Sequence, residues 1–203
     1  MAAAAGPQHS RYAVVLAGGE SRRFGADKLA APVEGRPLLD QAIADLPQGM
    51  TVLVVGPARS LSRPVRFLRE HPAGGGPAAA MVTGLAAALA AGASQIVVLP
   101  GDAPRAGQAA RLLMDALTGA PRVSAVVGTD ASGFDQPLQL ALLPFAADAL
   151  ISAAGAEGGN GASARALVNQ LDPPAMRCRL PREASFDIDT PVQLREWTDR
   201  SRR

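Results

Sequence analysis

Apolar residues gather in short runs that stop at glycines or polar turns, and these runs alternate with stretches of helical spacing. Tyr12 to Ala17 (YAVVLA) is apolar throughout and ends at two glycines, which predicts a buried strand. Thr51 to Gly56 and Val65 to Leu68 read as a second and a third strand. Gln95 to Pro100 reads as a fourth, with Gly101-Asp102 directly behind it. Between them, Pro37 to Leu46 places Leu38, Leu39, Ala42, Ile43 and Leu46 at helical spacing, with Pro37 suited to a first turn. Gly76 to Gly92 predicts a helix with small residues nearly all round, and Gly107 to Gly119 a helix with a glycine stop. RVSAVVG (122–128) and QPLQLALL (136–143) predict two more strands, and Pro137 puts the start of the latter at an edge or a bend.

Alternation of strand and helix through about residue 143, with short connections, predicts an α/β fold with a mostly parallel sheet. Ligands of such sheets sit beyond the carboxyl ends of the strands, so the polar segments after the first, third and fourth strands belong to the functional edge. Later residues are less regular. Ala153 to Ser163 (AAGAEGGNGAS) reads as a flexible loop, 164–171 as a short helix and 175–180 as a candidate strand. The last helix has Thr190 as N-cap and Pro191 at its first position. With no internal repeat and no long linker, one domain over residues 11–198 is expected behind a disordered tail of residues 1–10.

Composition narrows the function classes. The 203 residues suffice for one sizeable core. Twenty basic against 18 acidic residues, a net charge of +2, argue against nucleic acid or a membrane as main partner. One cysteine, Cys178, excludes an internal disulfide and reads as a small buried apolar residue. No Cys/His cluster offers a zinc site, and His9 and His71 belong to no recognisable triad. MAAAAGPQHSR lacks the basic start and apolar core of a signal peptide, and no apolar run is long enough to span a bilayer, so a cytoplasmic protein is expected.

The chemistry concentrates in LAGGESRRFGADK, Leu16 to Lys28. Gly18-Gly19 behind a strand lets the backbone approach a ligand, and exposed N–H groups there hold phosphate oxygens. Arg22, Arg23 and Lys28 add positive charge: arginine matches two phosphate oxygens, and lysine acts as a point charge. The competing reading, a surface turn with solvated cations, suits Arg22 alone better than it suits the cluster. Two familiar phosphate motifs are absent. Lys28 lies between Asp27 and Leu29, which excludes G-x-x-x-x-G-K-[ST], and no G-x-G-x-x-G opens a helix.

The pattern Leu16, Ala17, Gly18, Gly19, Ser21, Arg23, Gly25, Asp27, Lys28 resembles the signature loop of the MobA-like nucleotidyltransferases, and within them the molybdenum cofactor guanylyltransferases. Phe24 stands where that family usually has methionine. GGGPAAAM (74–81), VVLPGDAP (97–104), QPL (136–138) and DIDTP (187–191) follow in the family's order, so the resemblance runs from about Tyr12 to Trp197. It implies a single-domain three-layer αβα sandwich, a Rossmann-like nucleotidyltransferase fold. It also implies transfer of GMP from GTP to the terminal phosphate of molybdopterin, carrying molybdenum, with release of pyrophosphate.

On that resemblance Asp102 is the expected ligand of Mg²⁺, with Asp189 as a second ligand. Asp187 is the weaker candidate of the two, because carboxylates before a helix are favourable in any case. Lys28 and Arg23 would hold the triphosphate, and Ser21 would donate to a phosphate oxygen or cap the turn. Leu16, Ala17, Gly18 and Gly19 would line the nucleotide. Glu70 stands at the family's acidic base contact, where a carboxylate accepts from guanine N1–H and N2–H₂. Related cytidylyltransferases usually carry alanine where this chain has Gly18, which leans the base toward guanine. Gly158 to Gly161 and Arg165 would close over an anionic acceptor, or the glycines form a plain surface loop. Proteins that take up the finished cofactor for molybdoenzyme maturation are implied partners. The rival readings are a cytidylyltransferase for the same cofactor, a phospholactate guanylyltransferase, a sugar-phosphate nucleotidyltransferase, and an inert nucleotide-binding maturation partner.

Overall fold

The computed structural model describes residues 10–19 and 24–201. Its centre is a seven-stranded sheet built on β1 (Arg11–Leu16). β1 pairs in parallel with β4 (Thr51–Val55) on one side and β6 (Gln95–Pro100) on the other. β5 (Arg66–Leu68) extends the sheet beyond β4. Beyond β6 come β8 (Asp135–Leu142), β7 (Ala125–Thr129) and β9 (Met176–Arg179), so the order is β5-β4-β1-β6-β8-β7-β9. Only β8 runs against the others within this sheet, antiparallel to both β6 and β7. A small hairpin of β2 (Pro32–Val33) and β3 (Arg36–Pro37) stands apart.

Alternate side chains of each strand feed opposite faces, as the pleat requires. Ala13, Val15, Val52, Val54, Val97 and Leu99 face α1 (Leu38–Ala44) and α3 (Ala106–Thr118). Val14, Leu53, Val55, Ile96 and Val98 face α2 (Gly76–Ala90), α4 (Pro144–Ala153) and α5 (Ala164–Val168). The three-layer αβα sandwich with a mostly parallel sheet is therefore as expected. Each fully buried Leu, Ile or Val contributes about 1.5–3 kcal/mol. Alanines and glycines on α2 allow a close approach: a Cβ on Gly84 would lie 2.1 Å from Val14 Cγ1.

Several local expectations shift. α1 begins at Leu38, after Pro37, and ends at Ala44, although Leu46 stays buried. α4 was not expected; its alanine-rich surface lacks the polar stripe that betrays an amphipathic helix. β8 lies inside the sheet, and Pro137 is accommodated by a bend there: pairing with β7 shifts between Val127 and Gly128. Residues after α4 form successive turns packed on the start of α2, where Gly161 N–H donates to Gly75 O at 2.9 Å and Gly159 is buried. A Cβ on Gly159 would meet the Ala78 carbonyl carbon at 3.2 Å, so this loop is fitted to its neighbour. α6 (Pro191–Ser201) starts as expected, with Gln193 N–H donating to Thr190 Oγ1 at 3.2 Å. Among the described residues no helix is long and apolar enough to cross a membrane.

Candidate active site

Strand register brings the chemistry together. Leu16 lies level with Val55 on one side and Pro100 on the other, and Val55 lies level with Leu68. Four parallel strands thus end flush, and the residues just beyond them share one edge: Gly18-Gly19, Glu70 and Asp102. The edge opens into a cleft of about 470 Å³. Leu16, Gly18, Gly19, Glu70 and Asp102 line it, together with Gly74, Gly76 and Pro77 at the start of α2. Ala17 is placed differently from expectation. It is buried, and its N–H donates to Val55 O at 2.8 Å, so that group continues the sheet instead of facing a ligand. Gly101 N–H donates to Leu16 O at 2.8 Å, and a Cβ at 101 would come within 2.8 Å of that oxygen; only glycine lets the two loops run so close.

Lys28 opens a 3₁₀ turn, Lys28–Ala30, which is positioned from both ends. Asp27 caps it by accepting from Leu29 N–H at 3.1 Å, and Leu29 is buried in the core. Arg59, on the loop after β4, donates to the other Asp27 oxygen at 2.8 Å. The Lys28 ammonium then points between two carboxylates, donating to Asp102 Oδ2 and, at 2.9 Å, to Asp189 Oδ1. Burial works against the charge on Lys28, but Asp102 and then Asp189 outweigh it and raise its pKa. Asp189 reaches the cluster because Ile188 N–H donates to Asp102 O at 3.0 Å, stitching the DIDTP segment to the loop after β6. Its own N–H donates to Gln193 Oε1 at 2.9 Å.

Asp187, the weaker candidate on sequence, is near enough to Asp102 and Asp189 to feel the charge of both. Asp187 Oδ1 is sealed from solvent with no hydrogen-bond partner among the described residues. Desolvation first, then the charges of Asp102 and Asp189, push its pKa up from 3.8 to about 7, opposed by Lys28. Spacing by two residues in DIDTP was the available signal, but it does not reveal that Asp102 lies opposite.

A divalent cation fits this arrangement. One cation, the Lys28 ammonium, already sits between Asp102 and Asp189, and the sealed Asp187 carboxyl lies near them. The donors are hard oxygens. Among the described residues no set of three or more His, Cys, Asp or Glu is gathered to hold a metal alone. A hard divalent cation can take one or two carboxylates and complete its shell with water and substrate phosphates.

Glu70 faces the other half of the cleft. It is 7% exposed; Oε1 accepts from Gly74 N–H at 3.0 Å, and Oε2 is buried with no partner among the described residues. A Cβ on Gly18 would lie 3.8 Å from Oε1, so Gly18 and Glu70 are neighbours across the cleft. An unsatisfied buried carboxylate oxygen is costly unless a ligand supplies a donor. Arg165 lies elsewhere: it donates to Asp135 O at 2.8 Å and lines a separate hollow of about 220 Å³ with Asn169 and Arg177. Ser21, Arg22 and Arg23 lie outside the described residues. Phe24, at the family's usual methionine position, packs against Val33, Leu38, Ile188 and Trp197.

The sequence profile of the MobA-like NTP transferase domain matches residues 13–174. A molybdenum cofactor guanylyltransferase of Cereibacter sphaeroides is 37% identical over 99 residues, which cover 46% of this chain and 50% of that protein. The chain thus spans about half the length of that curated relative. The solved structure of molybdopterin-guanine dinucleotide biosynthesis protein A from Archaeoglobus fulgidus superposes with a TM-score of 0.68 at 19% identity, covering 94% of this chain and 98% of that one. A Mycobacterium tuberculosis H37Rv protein solved in complex with manganese superposes with a TM-score of 0.61 at 17% identity, covering 94% of this chain and 98% of that one. At those identities the two structures speak for the fold.

Proposed function

The chain belongs to the MobA-like NTP transferase domain family, and we propose that it transfers GMP from GTP to the terminal phosphate of Mo-molybdopterin, with release of pyrophosphate, in the cytoplasm. The observation that carries the reading is the pairing, in one cleft, of two unsatisfied demands. Glu70 offers an acceptor without a donor, which guanine N1–H and N2–H₂ would satisfy. At the other end, Asp102 and Asp189 share one lysine, with the buried Asp187 beside them, an arrangement that a triphosphate with its cation would relieve. The guanylyltransferase names of the curated relatives support the choice of base and acceptor.

In this reading an oxygen of the acceptor phosphate attacks the α-phosphorus, the new P–O bond forms, and the bond to the bridging oxygen breaks with its electron pair leaving on pyrophosphate. The acceptor is already an anion, so no proton has to be removed and no general base is required. The protein's contribution is positioning and charge neutralisation. Glu70 fixes the base, and the main-chain groups of Gly18-Gly19 and of Gly76 at the start of α2 hold the sugar and phosphates. Asp102 and Asp189 would hold Mg²⁺, which when bound neutralises triphosphate charge; the manganese complex of a fold neighbour supports a metal here. Lys28 moves its contact from carboxylates to phosphate oxygens and stabilises the departing charge. Arg23 and Ser21 serve the triphosphate in the same proposal.

The test follows pyrophosphate release with Mg²⁺ and each of four NTPs, with and without Mo-molybdopterin. Release with GTP alone, dependent on the acceptor and lost in Asp102→Ala, is expected. Preference for CTP would move the chain to the cytidylyltransferases. Binding of GTP without turnover would redirect the search to other phosphorylated acceptors.

A further inference from the structure

The β2–β3 hairpin turns through Glu34 and Gly35, both in the left-handed region, with φ of 49° and 84°. This is the two-residue hairpin conformation that favours Asn-Gly, and glutamate is a poor choice for it. Among the described residues Glu34 is the sole non-glycine with positive φ. Its carboxylate is the reason to look further. Oε1 accepts from Trp197 Nε1 at 3.2 Å and from Arg105 Nη2 at 3.1 Å. Oε2 accepts from Gln41 Nε2, on α1, at 3.3 Å. The Arg105 guanidinium lies over the Trp197 ring, 5.7 Å from its centroid, and also approaches Asp45 at 3.8 Å. Trp197 stacks on Phe186 with ring centroids 5.7 Å apart.

The segments that meet at Glu34 adjoin the charged groups of the site. The hairpin directly follows the Lys28–Ala30 turn. Arg105 is three residues beyond Asp102. Phe186 precedes Asp187, and α6, which carries Trp197, begins just after Asp189. Val33, Leu38, Ile188 and Trp197 pack together as an apolar cluster of their own, joining the same segments. We infer that Glu34 is a positioning residue: its carboxylate sets the spacing of the three segments that bear Lys28, Asp102 and Asp189. Glu34 is not among the described residues that line the cleft, so it acts through those segments. A left-handed backbone at a glutamate is unfavourable, and the contacts of its carboxylate offset that cost.

The inference rests on the proposed transfer reaction for its kinetic readout, so the test carries two others. Glu34→Asn suits the left-handed turn better than glutamate does but is too short to reach Trp197 and Arg105 together. Its thermal midpoint is expected to stay within a few degrees of the parent. Trp197 is the single tryptophan of the chain, so its emission reports the contact directly, and a shifted emission is expected. In turnover, kcat falls about 10- to 100-fold, the scale of a sub-ångström to 1 Å misplacement, while KM for GTP moves less than about 3-fold because the base pocket lies elsewhere. Glu34→Gln, which keeps an acceptor for Trp197 but loses the charge on Arg105, is expected to fall between. Calorimetric titration with Mn²⁺ in the absence of nucleotide is expected to show weaker binding in Glu34→Asn. Unchanged emission, a kcat within 2-fold of the parent, or a loss carried wholly by KM overturns the inference. If the parent turns over no NTP, the proposed reaction fails by itself, and the emission and Mn²⁺ titrations still decide on Glu34: equal Mn²⁺ affinity in parent and variant overturns it.

Discussion

Replacing Asp187 with asparagine preserves the shape of the side chain and removes a charge that its surroundings disfavour. In the folded protein its carboxyl is held at about 7, against an ordinary 3.8, by desolvation and then by Asp102 and Asp189. The folded state therefore keeps a proton that the unfolded chain releases between those two values. A raised carboxyl pKa gives stability that is fully present below the unfolded value and is lost as pH rises through the folded one. The parent should lose stability relative to Asp187→Asn as pH rises from 5 to 8. Integrated over that window the gap grows by about 2–3 kcal/mol, an upper bound because the residue as a whole is only half-buried. For a chain of this size that corresponds to roughly 5–10 °C in the difference between midpoints. The assay is thermal unfolding of both proteins with a chelator present, at several pH values from 5 to 8. Parallel curves across the whole window would refute the reasoning, because they would mean that Asp187 ionises in the folded state as freely as it does in the unfolded chain.

Lys28→Met leaves Asp102 and Asp189 without their shared cation; we expect turnover to be lost but Mn²⁺ to bind roughly ten-fold tighter to the nucleotide-free protein, by calorimetry. Equal or weaker Mn²⁺ binding would show that the ammonium does not occupy the cation's place. Glu70→Gln keeps an oxygen for Gly74 N–H but turns the free acceptor into a donor; the preference for GTP over the other NTPs should fall about 10- to 100-fold in kcat/KM. Gly84→Ala forces a methyl into Val14 Cγ1, 2.1 Å away, and should lower stability by about 1–3 kcal/mol with the GTP preference unchanged, measured by denaturant unfolding.

Local pattern carried much of this protein. Apolar runs bounded by glycines marked β1, β4 and β6, because a strand buried on both faces cannot afford polar residues. The glycines, Lys28 and Asp102 stood out since the chemistry of a phosphate site restricts which residue types can serve it. The alanine-rich α4 escaped because its pattern has little polar contrast. Tertiary structure alone decided the rest. β8 is inserted between β6 and β7, running the other way, and no local period encodes a neighbour. Ala17 fits the loop pattern, yet its N–H is taken by Val55. Asp187 reads as a helix-start carboxylate until the hydrogen bond from Ile188 to Asp102 brings it beside another aspartate. Glu34 looks like an ordinary turn residue until Arg105 and Trp197, 71 and 163 positions further along, close on its carboxylate. Residue type and spacing are local properties, whereas the charge a group feels depends on which distant segments the sheet brings to the same edge.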